Sequence, residues 1–211
     1  MRIAAVVDIH GNLPALEVVL ADIESVGVDQ MVFCGDVVLG APDDRACYYR
    51  VLETGAPVMR GNAERYLAEF GTPAADPAWT TEQFGPIQYS ASQFSDCERR
   101  ELGDLPTTCR LPVAPDVLFY HANPRNDMDI LRQWTHDEEI EPNFGGIEAN
   151  LFIGGHTHTQ FVRSWQGRTI VDCGWVRLTN IQRLPSTLCL RSSQDRGRLF
   201  TKTFRTTWRR R

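Results

Sequence analysis

Apolar and polar positions follow two different rhythms along this chain. Ile3–Val7 is a short β-branched run that predicts a strand. Leu16, Val19, Leu20, Ile23 and Val26 then fall at helical spacing. Met31–Cys34 predicts a second strand, and residues 43–55 a second helix closed by Gly55 and Pro57. Val58 and Met59 predict a third short strand, and Val117–Tyr120 and Leu151–Ile153 two further strands of the buried type. Strand–helix–strand alternation implies right-handed crossovers and parallel pairing. Residues 62–105 read as mostly helical, broken at Pro73, Pro77, Gly85 and Pro86. After residue 159 the rhythm changes. Thr159–Trp165, Arg168–Cys173, Thr187–Ser192 and Leu199–Arg205 predict strands joined by turns at 166–167 and 194–197, so the last third adds antiparallel sheet. No repeat or linker divides the 211 residues, which predicts a single domain over 1–211 with a basic tail at 206–211.

Five of the apolar runs end in a polar group: Asp8-Ile9-His10-Gly11-Asn12, Gly35-Asp36, Arg60-Gly61-Asn62, His121, and Gly154-Gly155-His156-Thr157-His158. Open α/β sheets bind ligands at the carboxyl ends of their strands. Any one of these groups is commonplace, since a Gly-Asp pair is usually a turn and a single strand-end histidine usually a packing residue. Together, Asp8, His10, Asp36, Asn62, His121, His156 and His158 would put many titratable groups in one place, at a high cost without a compensating cation. Imidazole with carboxylate suits manganese, iron, zinc, nickel or cobalt. Seven donors exceed one tetrahedral ion and suit two ions sharing a carboxylate, the arrangement that clamps a phosphoryl group and acidifies water.

This series of motifs resembles the calcineurin-like metallophosphoesterase superfamily, and within it the small single-domain bacterial and archaeal phosphodiesterases. The resemblance runs from Met1 to about residue 181; Met1–Leu20 and His121–Asp127 match it most fully. It implies a four-layer α/β/β/α sandwich with mixed sheets. It also implies two divalent ions, manganese or iron first, with zinc, nickel or cobalt as alternatives. It implies Asp8, His10, Asp36 and His158 around one ion and Asp36, Asn62, His121 and His156 around the other, with Asp36 bridging. The implied reaction is phosphoester hydrolysis by in-line attack of a metal-bridging hydroxide, with Asp36 and Asn62 as catalytic residues.

Two segments depart from the family pattern. Many relatives read Gly-Asn-His-Asp or Gly-Asn-His-Glu at the third motif, whereas this chain reads Gly61-Asn62-Ala63-Glu64. The missing histidine is linked in the family to leaving-group protonation, and general acid help is typically worth about 10²–10⁴-fold. Phosphodiesters are therefore expected over monoesters. The segment after the last histidines reads Asp172-Cys173-Gly174-Trp175 where relatives often carry Asn-Pro-Gly-Ser, which changes the wall of the site. Cys173 is expected to be a buried, inert thiol. His136 is expected on a surface helix capped by Thr135, rather than as a substitute acid. Glu64 reads equally as a helix-terminal acid and as a neighbour of the site. Arg60 and Arg125 are candidates for substrate phosphate, against ordinary surface pairing. Asn12 reads as a helix N-cap.

Charge and composition narrow the partners. The formal net charge is −5, but residues 191–211 hold eight basic residues and one acid, leaving −12 on the rest. A basic end can bind nucleic acid, yet the acidic body opposes a long polyanion, so a small phosphoester, with nucleotide-like compounds among the candidates, is expected before a nucleic acid. No apolar run reaches the roughly 18–20 residues of a membrane span. The acid at Asp8 interrupts any signal-peptide core, and the six cysteines form no Cys-x-x-Cys pair, so a cytoplasmic setting with reduced thiols and no membrane partner is expected. The alternative to an enzyme is a degenerate member of the same fold used as a binding or scaffold module, an alternative supported by Ala63 and the altered 172–175 segment.

Overall fold

Along β1 (Arg2–Val6) burial is nearly complete, and alternate side chains enter two different cores. Ile3 and Ala5, continued by Val7, meet Val32, Cys34, Phe119, Ile153 and Val171. Ala4 and Val6 instead join Phe33 and the helices. A strand apolar on both faces is a strand covered on both faces, and that fixes a layered architecture. The computed structural model describes residues 2–176, together with the backbone of 186–191 and 199–203. The 206–211 tail and the 194–197 turn lie outside the described residues.

The first sheet has the order β2 (Gln30–Phe33), β1, β8 (Ser186–Arg191), β9 (Leu199–Thr203); β1 runs parallel to β2 and antiparallel to β8. The second has the order β3 (Thr108–Leu111), β4 (Ala114–Tyr120), β5 (Leu151–Gly154), β7 (Arg168–Asp172), β6 (Phe161–Trp165), parallel across β4–β5–β7 and antiparallel at both edges. Both sheets are therefore mixed, as expected. The β6–β7 hairpin turns at Gln166-Gly167, with both residues left-handed.

Helices α1 (Leu13–Val26), α2 (Asp44–Glu53), α3 (Asn62–Glu69), α4 (Gly85–Ser92) and α5 (Asp96–Gly103) contribute Leu16, Val51, Leu67, Ile87 and Leu102 to the core outside the first sheet. On the far face of the second sheet, Leu118, Tyr120, Phe152 and Ile170 pack with Ile140 and Phe144 of α6 (Asp137–Phe144). The result is the α/β/β/α sandwich. Truncating Phe119, fully buried between the sheets, would cost about 3–5 kcal/mol.

Local chemistry explains the element ends. Asn12 Oδ1 accepts from Ala15 N–H at 3.2 Å and caps α1, which closes at left-handed Gly27. The third strand expected at Val58–Met59 is a single bridge between Phe33 and Val58. Pro57 accepts from Phe33 N–H at 2.9 Å but has no N–H of its own to extend the ladder. The cap of α6 is His136 rather than Thr135; Glu139 Oε1 accepts from its N–H at 3.2 Å, while Thr135 Oγ1 accepts from Arg132 N–H. Strand β3 is present where no strand was expected. Among the described residues no helix is long and apolar enough to cross a membrane.

Candidate metal centre

Parallel pairing of β1 with β2, and of β4 with β5, brings the carboxyl ends of four strands to one seam between the sheets. The two loops that follow β1 and β2 stay hydrogen-bonded beyond the strands. Asp8, His10 and Gly11 donate their N–H groups to the carbonyls of Gly35, Asp36 and Val37 at 3.2, 2.9 and 2.8 Å. On the other sheet Gly155 N–H donates to His121 carbonyl at 2.9 Å. The seam itself is bridged by His156 N–H, which donates to Asp8 Oδ2 at 2.8 Å, and by Val176 N–H, which donates to Asp8 carbonyl at 3.0 Å.

The loops need unusual backbone to do this. Asp8, His10, Asp36, His156 and His158 all sit at positive φ, between 52° and 73°. The left-handed region is costly for residues with a Cβ, on the order of 1–3 kcal/mol each, and such residues cluster at functional sites. Gly61 is needed for a different reason. A Cβ there would stand 2.1 Å from Asp36 Oδ1.

Asp36 is held from two sides. Its Oδ1 accepts from Ala63 N–H at 2.9 Å, one of the unsatisfied donors at the start of α3. Glu64, fully buried, accepts from four backbone N–H groups: Gly61 at 2.7 Å, Asp36 at 2.9 Å, Val37 at 2.8 Å and Val38 at 3.3 Å. Both expectations for Glu64 thus hold at once: it caps α3 and it ties the Asp36 loop down. Asp36 Oδ2 is left facing His121 Nε2 at 3.4 Å and His10 Nε2 at 3.6 Å.

The imidazoles form two sets that meet at this carboxylate. Asp8, His10 and His158 make one group of convergent donors, and Asp36, His121 and His156 the other. Asn62 Oδ1 adds to the second at 3.1 Å from His121 Nε2. Backbone carbonyls set three of the tautomers. His10 Nδ1–H donates to Leu39 O at 2.6 Å, His121 Nδ1–H to Cys34 O at 3.0 Å and His156 Nε2–H to Met128 O at 3.0 Å. The remaining ring nitrogens face each other: His10 Nε2 to His158 Nε2 at 3.0 Å, and His121 Nε2 to His156 Nδ1 at 3.2 Å. Nitrogens bound to one ion at about 2.0–2.1 Å sit roughly 3.0–3.4 Å apart, so these are the separations of ligands sharing a cation. Asp8 Oδ1 is buried with no hydrogen-bond partner. A converging lone-pair set with an orphaned carboxylate oxygen fits a pair of divalent cations.

The protonation pattern points the same way. Burial pushes Asp8 well above the usual carboxylate range. Burial alone would also raise Asp36, but His121 outweighs it and holds that carboxyl below its ordinary value. Burial would lower His121, yet Asp36 and then Asp8 push it up to about 10. Without a cation, the proton on His121 is the compensating charge. His158 is lowered to about 4 by burial and by His10, and His156 is lowered by burial and by His121, so both offer neutral lone pairs.

The structure brings all seven expected donors together. Both candidate arginines have a backbone carbonyl as partner. Arg60 donates to Gly103 carbonyl at 2.9 Å and Arg125 to Gly145 carbonyl at 3.0 Å. His136 is exposed at the start of α6. Cys173 is fully buried and burial raises its thiol, so it is no nucleophile.

Sequence reasoning missed two supports of the last motif. Asp172, buried at the end of β7 and raised to about 7 by burial, accepts from Thr157 Oγ1 at 2.5 Å and Gly174 N–H at 2.8 Å. It ends an apolar run just as the ligands do, and that signal could have found it. Trp175 stacks on His158 with ring centres 4.8 Å apart and planes 9° from parallel.

Residues 1–195 match the family model of the calcineurin-like phosphoesterase superfamily domain, and the chain belongs to that superfamily. It is 24% identical over 179 residues to the uncharacterized protein MJ0912 of Methanocaldococcus jannaschii, covering 83% of this chain and 70% of that one. Among solved structures it resembles a metallophosphoesterase from Sphaerobacter thermophilus, with a TM-score of 0.69 at 23% identity over 90% of this chain and 82% of that one. It also resembles the hypothetical protein PH1004 of Pyrococcus horikoshii OT3, with a TM-score of 0.74 at 16% identity over 96% and 88%. At these identities the two structures show a shared fold.

Proposed function

We propose that this chain hydrolyses phosphoesters, and diesters in preference to monoesters. The site would hold two divalent cations. Asp8, His10 and His158 would hold one, Asn62, His121 and His156 the other, and Asp36 would serve both. The observation that carries this reading is Asp36 Oδ2, positioned between His10 Nε2 and His121 Nε2 while Oδ1 is fixed to α3. Two such cations would supply the positive clamp on phosphoryl oxygens and the acidity that makes water a nucleophile near neutral pH. The chain's own residues orient and hold charge. Asn62, at the first position of α3, turns its Oδ1 inward and keeps Nδ2 to donate to a phosphoryl oxygen. Asp172 and Trp175 fix the loop and the ring of His158. The complete set of seven donors favours an enzyme over a binding module.

The diester preference rests on Ala63. It is fully buried, and its methyl group can donate no proton to a leaving oxygen. Poor leaving groups lose most from this. The test combines element analysis with a panel of monoesters, diesters and nucleotides. We expect about two metals per chain, activity lost on chelation and restored by Mn²⁺, and faster turnover of diesters. Two bound metals with no phosphoester turned over would overturn the enzyme reading. Aryl monoesters cleaved at least as fast as the matching diesters would overturn the preference.

A further inference from the structure

Beside His156 the surface folds into a pocket of about 200 Å³. Arg132, Gln133, Trp134, Gln160 and Phe161 line it, together with His156 itself. Trp134 is 71% exposed. The Arg132 guanidinium lies 5.9 Å from the centre of its ring. An indole this open is unusual on a surface loop, and this loop is tied down. Arg163 of β6 donates to Thr135 carbonyl and to Asp137 Oδ1, both at 2.6 Å, and reaches the carbonyls of Arg132 and Gln133 at 3.4 Å. At the other end of the loop, Met128 carbonyl accepts from His156 Nε2–H. The wall that displays Trp134 and the candidate ligand His156 are thus one hydrogen-bonded unit.

We infer that this pocket receives the nucleobase of a nucleoside phosphodiester whose phosphorus lies at the Asp36–His156 cluster. The position of the phosphorus rests on the proposed phosphoesterase function, whereas the stacking does not. Pockets that bury a whole drug-sized ligand measure about 300–1,000 Å³, so this one takes a single ring system. Trp134 supplies a flat π face. Gln133 and Gln160 each bring a carbonyl acceptor and an amide donor, the pair that matches the edge of a base and is wasted on an alkyl chain.

The experiment compares two diesters with the same leaving group: thymidine 5′-(p-nitrophenyl phosphate) and methyl p-nitrophenyl phosphate. The Trp134→Ala variant is expected to lose about tenfold or more in kcat/KM on the nucleoside ester, in line with base–aromatic stacking. On the methyl ester it is expected to change less than twofold. Trp134→Phe, which keeps a ring, is expected to retain most of the preference and reports on folding. A second readout needs no turnover: calorimetric binding of AMP to the Mn²⁺-loaded protein is expected to weaken by a similar factor in Trp134→Ala. Equal losses on both esters, or unchanged AMP affinity, overturn the inference. So does a dimer that dissociates in Trp134→Ala with nucleoside selectivity intact, because Trp134 would then serve self-association. A wild-type protein that cleaves neither ester defeats the proposed function, while the AMP measurement still tests the pocket.

Discussion

Replacing Glu64 by glutamine isolates the strongest link between fold and site. The carboxylate accepts from four buried backbone N–H groups at 2.7–3.3 Å, three of them from the Asp36–Val38 loop. Glutamine keeps one oxygen and turns an NH₂ toward donors that need an acceptor, so two N–H groups lose their partner. Each buried polar group left unsatisfied costs about 1–3 kcal/mol, and the sum is about 2–6 kcal/mol. Native domains are stable by only about 5–15 kcal/mol, so the variant is measurably weakened while still able to fold. The loop it releases carries Asp36 at a φ of 52°, a conformation that relaxes without restraint. Loss of a residue that orients metal ligands typically lowers affinity by about 10- to 100-fold, and Mn²⁺ affinity is expected to fall in that range. Urea unfolding of the metal-free protein at pH 7 measures the first effect and competitive Mn²⁺ titration the second. A Glu64→Gln protein within about 0.5 kcal/mol of wild type, a change typical of unremarkable surface sites, would refute this reading of Glu64, as would unchanged Mn²⁺ affinity.

Other predictions follow from the same contacts. Asp172 is 4% exposed and raised to about 7 by burial. A raised acid stabilises fully below its unfolded pKa, and that contribution is lost as pH rises through the folded value. In the metal-free protein, Asp172→Asn should therefore gain on wild type between pH 6 and pH 8.5, read as the difference in urea midpoints; a constant difference would refute the assignment. Gly61→Ala keeps an accessible backbone but drives a methyl into Asp36 Oδ1. It should reduce bound metal below two per chain by element analysis, and full occupancy would show that Asp36 can move aside.

What could be read from the sequence was whatever lay next to a strong local signal. All seven donors lie within about five residues of the end of an apolar run, so the runs located them and the glycines beside Asp36, Asn62 and His156 marked sharp turns. The carbonyls that set the histidine tautomers, from Cys34, Leu39 and Met128, are 87, 29 and 28 residues away from their partners. No periodicity encodes such pairings. The double role of Glu64 was half legible: its place in the first turn of α3 is local, but its hold on residues 36–38 depends on how two loops fold against each other. Strand β3 escaped because Thr108, Cys109 and Arg110 carry no buried alternation; only Leu111 is buried. Val58–Met59 misled for the opposite reason, an apolar pair whose neighbour Pro57 denies the ladder its next bond.

The left-handed residues around the cluster have an implication for how such a protein changes. Each is a standing penalty that the sandwich could shed by trading the residue for glycine or by letting the loop relax. A lineage selected for robustness alone would be drawn toward erasing those conformations, and the site would vanish before the scaffold weakened. In this chain that backbone cost is concentrated at the candidate site, where such conformations tend to cluster in proteins.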